Sequence, residues 1–91
     1  MFSFDLTDEL KIKIRKLLKR DKKKVEIINK KIQAIINSTP ETIDHYKNLR
    51  YEQSDRKRVH IDDHFVLTFK VDKTENHILF LDFDHHDNIY G

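Results

Sequence analysis

No cysteine occurs among the 91 residues, so disulfides and thiolate chemistry are excluded and a reducing interior suits the chain. No apolar run approaches membrane-spanning length, and Phe2-Ser3-Phe4-Asp5 turns polar too early to begin a signal peptide. A cytoplasmic location without a membrane partner is therefore expected. Repeats, low-complexity tracts and linkers are missing as well, and the length allows one domain, residues 1–91, with no separate substrate or cofactor domain. Any active site must then be a surface cleft of that domain. Hydrophobic residues make up only 37% and charged residues another 37%, yet the apolar ones are clustered and patterned, which supports a core. The net charge is only +2, but its sign is unevenly spread. Residues 11–31 are dense in Lys and Arg, Arg50 to Arg58 adds a second basic cluster, and Asp72, Glu75, Asp82, Asp84 and Asp87 lie in the last third. Local basic density of this kind suits a polyanionic partner.

The periodicity predicts two layers. Met1 to Asp5 reads as a short strand with Phe2 and Phe4 on one side. Thr7 offers an N-cap oxygen, Asp8 and Glu9 put negative charge in the first turn, and Leu10, Ile14, Leu17 and Leu18 form one apolar stripe. After a turn at Arg20, Asp21 can cap a second helix whose stripe is Val25, Ile28, Ile32, Ile35 and Ile36. The short join predicts a helical hairpin. Asn37-Ser38-Thr39-Pro40 closes it, because proline cannot continue a helix. A helical turn is expected from Glu41 to Tyr46. Arg58 to Ile61, Phe65 to Val71 and His77 to Phe83 read as strands joined by turns at 62–64 and 72–76. The last is nearly all apolar, which predicts a central strand. The fold class is α+β, ordered β-α-α-β-β-β, an N-terminal helical hairpin packed on an antiparallel sheet.

Three stretches, in order, resemble the RelE/ParE toxins. Tyr46-Lys47-Asn48-Leu49 is similar to a short segment leading into that family's sheet. Residues Arg58 to Asp72 resemble its basic strand, turn and aromatic strand ending in Val-Asp. Asp84-His85-His86-Asp87-Asn88-Ile89-Tyr90 resembles its C-terminal His-Arg-x-x-Val-Tyr signature. Together they span nearly the whole chain. The resemblance implies a ribosome-dependent endoribonuclease that cuts mRNA, held inactive in a hetero-oligomer by a RelB-like antitoxin. The alternative is a non-enzymatic ParE-like gyrase inhibitor or a degenerate module that only binds antitoxin. Three positions depart from the pattern: Val66 and His60 stand where arginines are common, and His86 where the C-terminal motif has arginine.

RNA cleavage without a metal needs a base for the 2′-hydroxyl proton, positive charge at the phosphorus and an acid for the leaving oxygen. Histidines exchange protons near neutral pH, which makes His60, His85 and His86 candidates, with Arg58 as a phosphate fork. Tyr90 resembles the family's functional C-terminal tyrosine. Lys47, Arg50, Arg56 and Lys57 are the candidate RNA-binding residues. Blander readings stand beside these. The basic helix faces suit simple solvation, His45, His64 and His77 read as surface residues, His85 can serve only to fix the tail, and Tyr90 only to anchor it. Asp82, Asp84, His85, His86 and Asp87 also look like metal ligands, but neighbours on a strand end point to opposite sides. No metal or cofactor is expected.

Overall fold

The structure, a computed structural model, describes residues 1–49 and 55–90, the last two by their backbone alone. Two side-chain caps start the helical hairpin. Thr7 is extended and its Oγ1 accepts the Leu10 amide at 3.2 Å, which opens helix α1 (Asp8–Leu18). Asp21 does the same for helix α2 (Lys22–Ile36), accepting the Lys24 amide at 3.1 Å. The stripe expected on α2 is buried at every position. That of α1 is narrower: Leu10 and Leu17 are buried and Ile14 half-buried, but Leu18 is 50% exposed. Leu18 lies about 100° around the helix from Leu17, and the chain reverses there as the Arg20 and Asp21 amides both donate to the Leu17 carbonyl.

Strands β1 (Ser3–Leu6), β2 (Arg56–His60), β3 (Phe65–Asp72) and β4 (His77–His85) form one sheet in the order β1-β4-β3-β2. The α+β class, the hairpin and the central place of β4 agree with expectation. The sheet is antiparallel from β2 to β4, but β1 joins β4 in parallel, so it is mixed. Tight turns dictate antiparallel pairing; β1 reaches β4 only across the whole sheet and hairpin, so no turn sets its direction. A 3-10 turn at Thr42–His45 fills the expected helical turn, and a short helix α3 (His86–Tyr90) follows β4 where only a tail was expected.

The core lies between the hairpin and one face of the sheet. Leu67, Phe69, Ile78 and Phe80 meet Leu10, Ile28 and Ile35 there, and all are fully buried. Phe69 packs edge-on to Tyr46 at 5.7 Å and tilted on Phe80 at 5.8 Å. Phe4, on the outer strand, meets Phe80 edge-on at 6.1 Å but stays 40% exposed.

Where β1 ends, side chains take over the edge of β4. The Thr7 hydroxyl donates to the Leu81 carbonyl at 2.6 Å and Lys13 Nζ to the Phe83 carbonyl at 3.3 Å. A bulge at Leu81 accompanies this handover: Thr68 faces Asp82 while Phe69 faces Phe80. Thr7 thus serves a helix cap and a sheet edge with one hydroxyl. Thr7→Ala is expected to cost about 1–2 kcal/mol, read as a lower urea midpoint that Thr7→Ser restores; an unchanged midpoint in the alanine variant would show that neither contact counts.

Candidate functional site

Register decides which side chains share the face away from the hairpin. On it Arg58 lies opposite Thr68, itself opposite Asp82, while His60 lies opposite Val66, itself opposite Asp84. Val66 and Thr68 are nonetheless buried, at 0% and 4% exposure, on the face where α3 packs against β3 and β4. The His86 amide donates to the His64 carbonyl at 2.6 Å, which fixes the turn out of β4. The His86 ring then stacks on His60 with 5.8 Å between centroids and 25° between planes. Arg58, half-buried, precedes His60 by two residues on the same face, about 7 Å along the strand. One basic and two imidazole side chains are thereby brought to one end of one face.

His85 goes elsewhere. Its register partner is Phe65, whose ring it meets edge-on at 5.5 Å, and it stacks on His64 at 5.8 Å. Its Nδ1 accepts the Asp87 amide at 3.2 Å, satisfying one of the first N–H groups of α3. The turn into α3 after His85 carries His86 to the other face, and the contacts of His85 are those of a residue that holds the tail in place.

Lys57 requires a correction. It faces the core side, is 9% exposed, and donates to the Tyr46 carbonyl (3.2 Å) and Asn48 Oδ1 (3.0 Å), with Asp44 at 3.7 Å. Its ammonium pins the segment before the sheet and offers no surface to RNA. Lys47 is exposed, and its carbonyl accepts the Arg58 amide at 3.0 Å, so this segment lines the outer edge of β2. Arg56 shares the face of Arg58 by alternation. Arg50 and the Tyr90 side chain lie outside the described residues.

Composition gave no hint of a charge cluster beside the histidines. Lys13 reaches over the edge of β4 to Asp82 at 2.8 Å and Asp84 at 3.7 Å. Burial lowers the affinity of the Lys13 ammonium for its proton, but Asp82, Asp84 and Glu9 outweigh it and the net shift is upward. Asp84 Oδ1 accepts from Asn88 Nδ2 at 3.0 Å and from the His85 amide at 2.7 Å. The Asn88 hydrogen bond, acting against burial and helped by that amide and by Lys13, holds the Asp84 carboxyl below the usual carboxylate range. Signals for this cluster were present in the alternation of Asp82 and Asp84, but their partner is about seventy residues away.

No family model matches the chain. The protein named "Putative toxin RelE4" of Methanocaldococcus jannaschii is 48% identical over 90 residues, which cover 99% of this chain and 92% of that one. The chain belongs to the RelE toxin family. Its RelE-type fold is shared with YafQ of Escherichia coli strain BL21(DE3), at a TM-score of 0.74, 14% identity and full coverage of both chains. It is also shared with the YoeB-YefM complex from Staphylococcus aureus, at a TM-score of 0.73 and 17% identity over 94% of this chain and 98% of that one. This RelE-type chain is a toxin of a toxin-antitoxin system. Among the described residues no helix is long and apolar enough to cross a membrane.

In this RelE toxin Val66, which stands where the motif has arginine, is fully buried. On this face the fixed positive charges are those of Arg56 and Arg58.

The docking of α3 carries a pH prediction. A carboxyl whose folded pKa is depressed adds stability above its unfolded pKa, and that stability is lost as pH falls through the folded value. Asp84 is such a group, so amide exchange in α3 should rise only below about pH 4, and Asp84→Asn should loosen α3 at neutral pH and flatten the acid dependence. Exchange in α3 that does not change below that pH would remove Asp84 from the docking.

Proposed function

We propose that this RelE-type toxin is a ribosome-dependent mRNA endonuclease that cleaves by metal-independent acid-base chemistry, with His60 and His86 as its proton-transfer pair. The observation that carries this reading is the stack of those two imidazoles beside Arg58. In the reaction the 2′-oxygen attacks the adjacent phosphorus as one imidazole takes its proton, and the other protonates the departing 5′-oxygen. The exchange needs one ring neutral as base and the other protonated as acid. The Arg58 fork holds the phosphate oxygens as charge develops on them. Tyr90 stacks on a base or donates its hydroxyl, His85 keeps the tail positioned, and Lys47, Arg50 and Arg56 contact the RNA.

The partners proposed are the ribosome with its mRNA and a RelB-like antitoxin, in the cytoplasm. An acidic amphipathic antitoxin helix would cover the basic face by charge and bulk, and the solved YoeB-YefM complex, a fold neighbour, supports a hetero-oligomer. Toe-printing of mRNA on ribosomes tests the reading: new cleavage ends should appear with the protein and require ribosomes. Their absence with the wild-type chain would overturn it. The buried Val66 favours a second reading, a gyrase inhibitor or antitoxin-binding module without catalysis, which predicts no cleavage ends while antitoxin binding persists.

A further inference from the structure

Farther along the face that carries the histidine pair, a cavity of about 290 Å³ opens between Arg56, Thr68, Asp82 and Asn88, with Leu49 and Leu81 in its lining. That volume is at the small end of ligand sites, of order 300 Å³ and up, and suits one aromatic heterocycle better than a longer ligand. Arg56 enters from β2 and Asp82 from β4, on strands about 10 Å apart with β3 between them. The two opposite charges are not joined to each other. Asp82 is turned to Lys13 at 2.8 Å, and Arg56 Nε is buried without a hydrogen-bond partner among the described residues. A buried guanidinium N–H gains from any acceptor brought to it.

We infer that this cavity is a guanine pocket, with Arg56 and Asp82 as the specificity-determining pair; the inference rests on the endonuclease reading and names the base it selects. Guanine shows two adjacent acceptors, O6 and N7, and on another edge two adjacent donors, N1–H and N2–H. A guanidinium fork matches the first pair and a carboxylate the second. Adenine sets a donor beside N7, where the fork needs a second acceptor, and neither pyrimidine offers two adjacent donors. Glu9 also lines the cavity. With two carboxylates there, the pocket repels a phosphate and accepts a base. Position agrees with this: Arg56 lies two residues from Arg58 on the same face, about 7 Å, so the base held here neighbours the phosphate held there.

The test has two arms. In the first, the four nucleoside 3′-monophosphates are titrated into the full chain and followed by amide NMR. Guanosine 3′-monophosphate should bind about tenfold more tightly than the others, with shifts at Thr68 and Asn88. Arg56→Lys, which keeps the charge but loses the fork, and Asp82→Asn, which leaves Lys13 its contact with Asp84, should both erase that preference with the amide spectrum otherwise intact. In the second arm, ribosomes carry mRNAs that differ only in the base beside the cleavage point, and ends should concentrate at guanine for wild type but not for Arg56→Lys. Equal binding of all four nucleotides, or none at millimolar concentration, overturns the pocket even if cleavage occurs. Guanosine selectivity without any cleavage keeps the pocket and sinks the endonuclease reading.

Discussion

Alanine at His86 is expected to lower ribosome-dependent mRNA cleavage by roughly a hundred- to ten-thousand-fold, the usual worth of one proton-transfer group. Stability should change by only about 0.5 kcal/mol. The turn out of β4 is held by the backbone amide of His86, which the substitution keeps. Its side-chain ion pair with Asp87, at 3.7 Å, involves an exposed carboxylate and contributes little. His60→Ala should cause a similar loss, and the double variant should be scarcely worse than either single one, because the rings act as a unit. His85→Ala should behave differently. It removes the acceptor for the Asp87 amide, so activity and α3 protection should fall together, and His85→Asn, which keeps an acceptor, should recover part of both. Growth arrest and cleavage left intact in both His60→Ala and His86→Ala would remove these residues from the chemistry.

Phe69→Ala should cost about 3–5 kcal/mol, the largest stability loss foreseen for a single change. Phe69 is fully buried and joins three parts of the molecule: β3 through its backbone, the pre-sheet segment through Tyr46, and β4 through Phe80. Natural domains hold only about 5–15 kcal/mol in total, and one of this length tends to the lower part of that range. The variant should therefore unfold at much lower urea or be partly unfolded at 37 °C, with activity lost in proportion to the folded fraction. A midpoint shift worth under about 1 kcal/mol would mean that hairpin and sheet do not meet at Phe69.

Much of this architecture was legible because its determinants are local. Thr7 and Asp21 announce two helix starts by side-chain chemistry within three residues, and the isoleucines of α2 repeat at helical spacing, so both elements follow from neighbours. The parallel attachment of β1 was not legible, since a four-residue strand carries no mark of its partner or its direction. Helix α3 was hidden for a related reason: His86-Asp87-Asn88-Ile89-Tyr90 is too short for a periodicity and is held largely by tertiary contacts, through His64, His85 and Asp84. The burial of Lys57 could have been found. The strand begins at Arg56 rather than at Arg58 as expected, and period-two alternation then places Lys57 on the face opposite Arg56 and Arg58. In the site, the residue pattern named His60 and His86 as separate candidates, while their meeting depends on the turn into α3 over β3, which lies between β2 and β4. Thr68 and Asn88 joined Asp82 there only once the sheet register and the bulge at Leu81 were known.

The parallel pairing of the first strand with the last has a consequence for biosynthesis. During translation β1 leaves the ribosome early and waits, unpaired, until β4 has been made. Over that interval the isoleucine stripe of α2 has no sheet to rest on, and a nascent chain in this state exposes the surface on which aggregation or capture by a chaperone begins. The His60–His86 stack forms only when the residues after β4 have emerged.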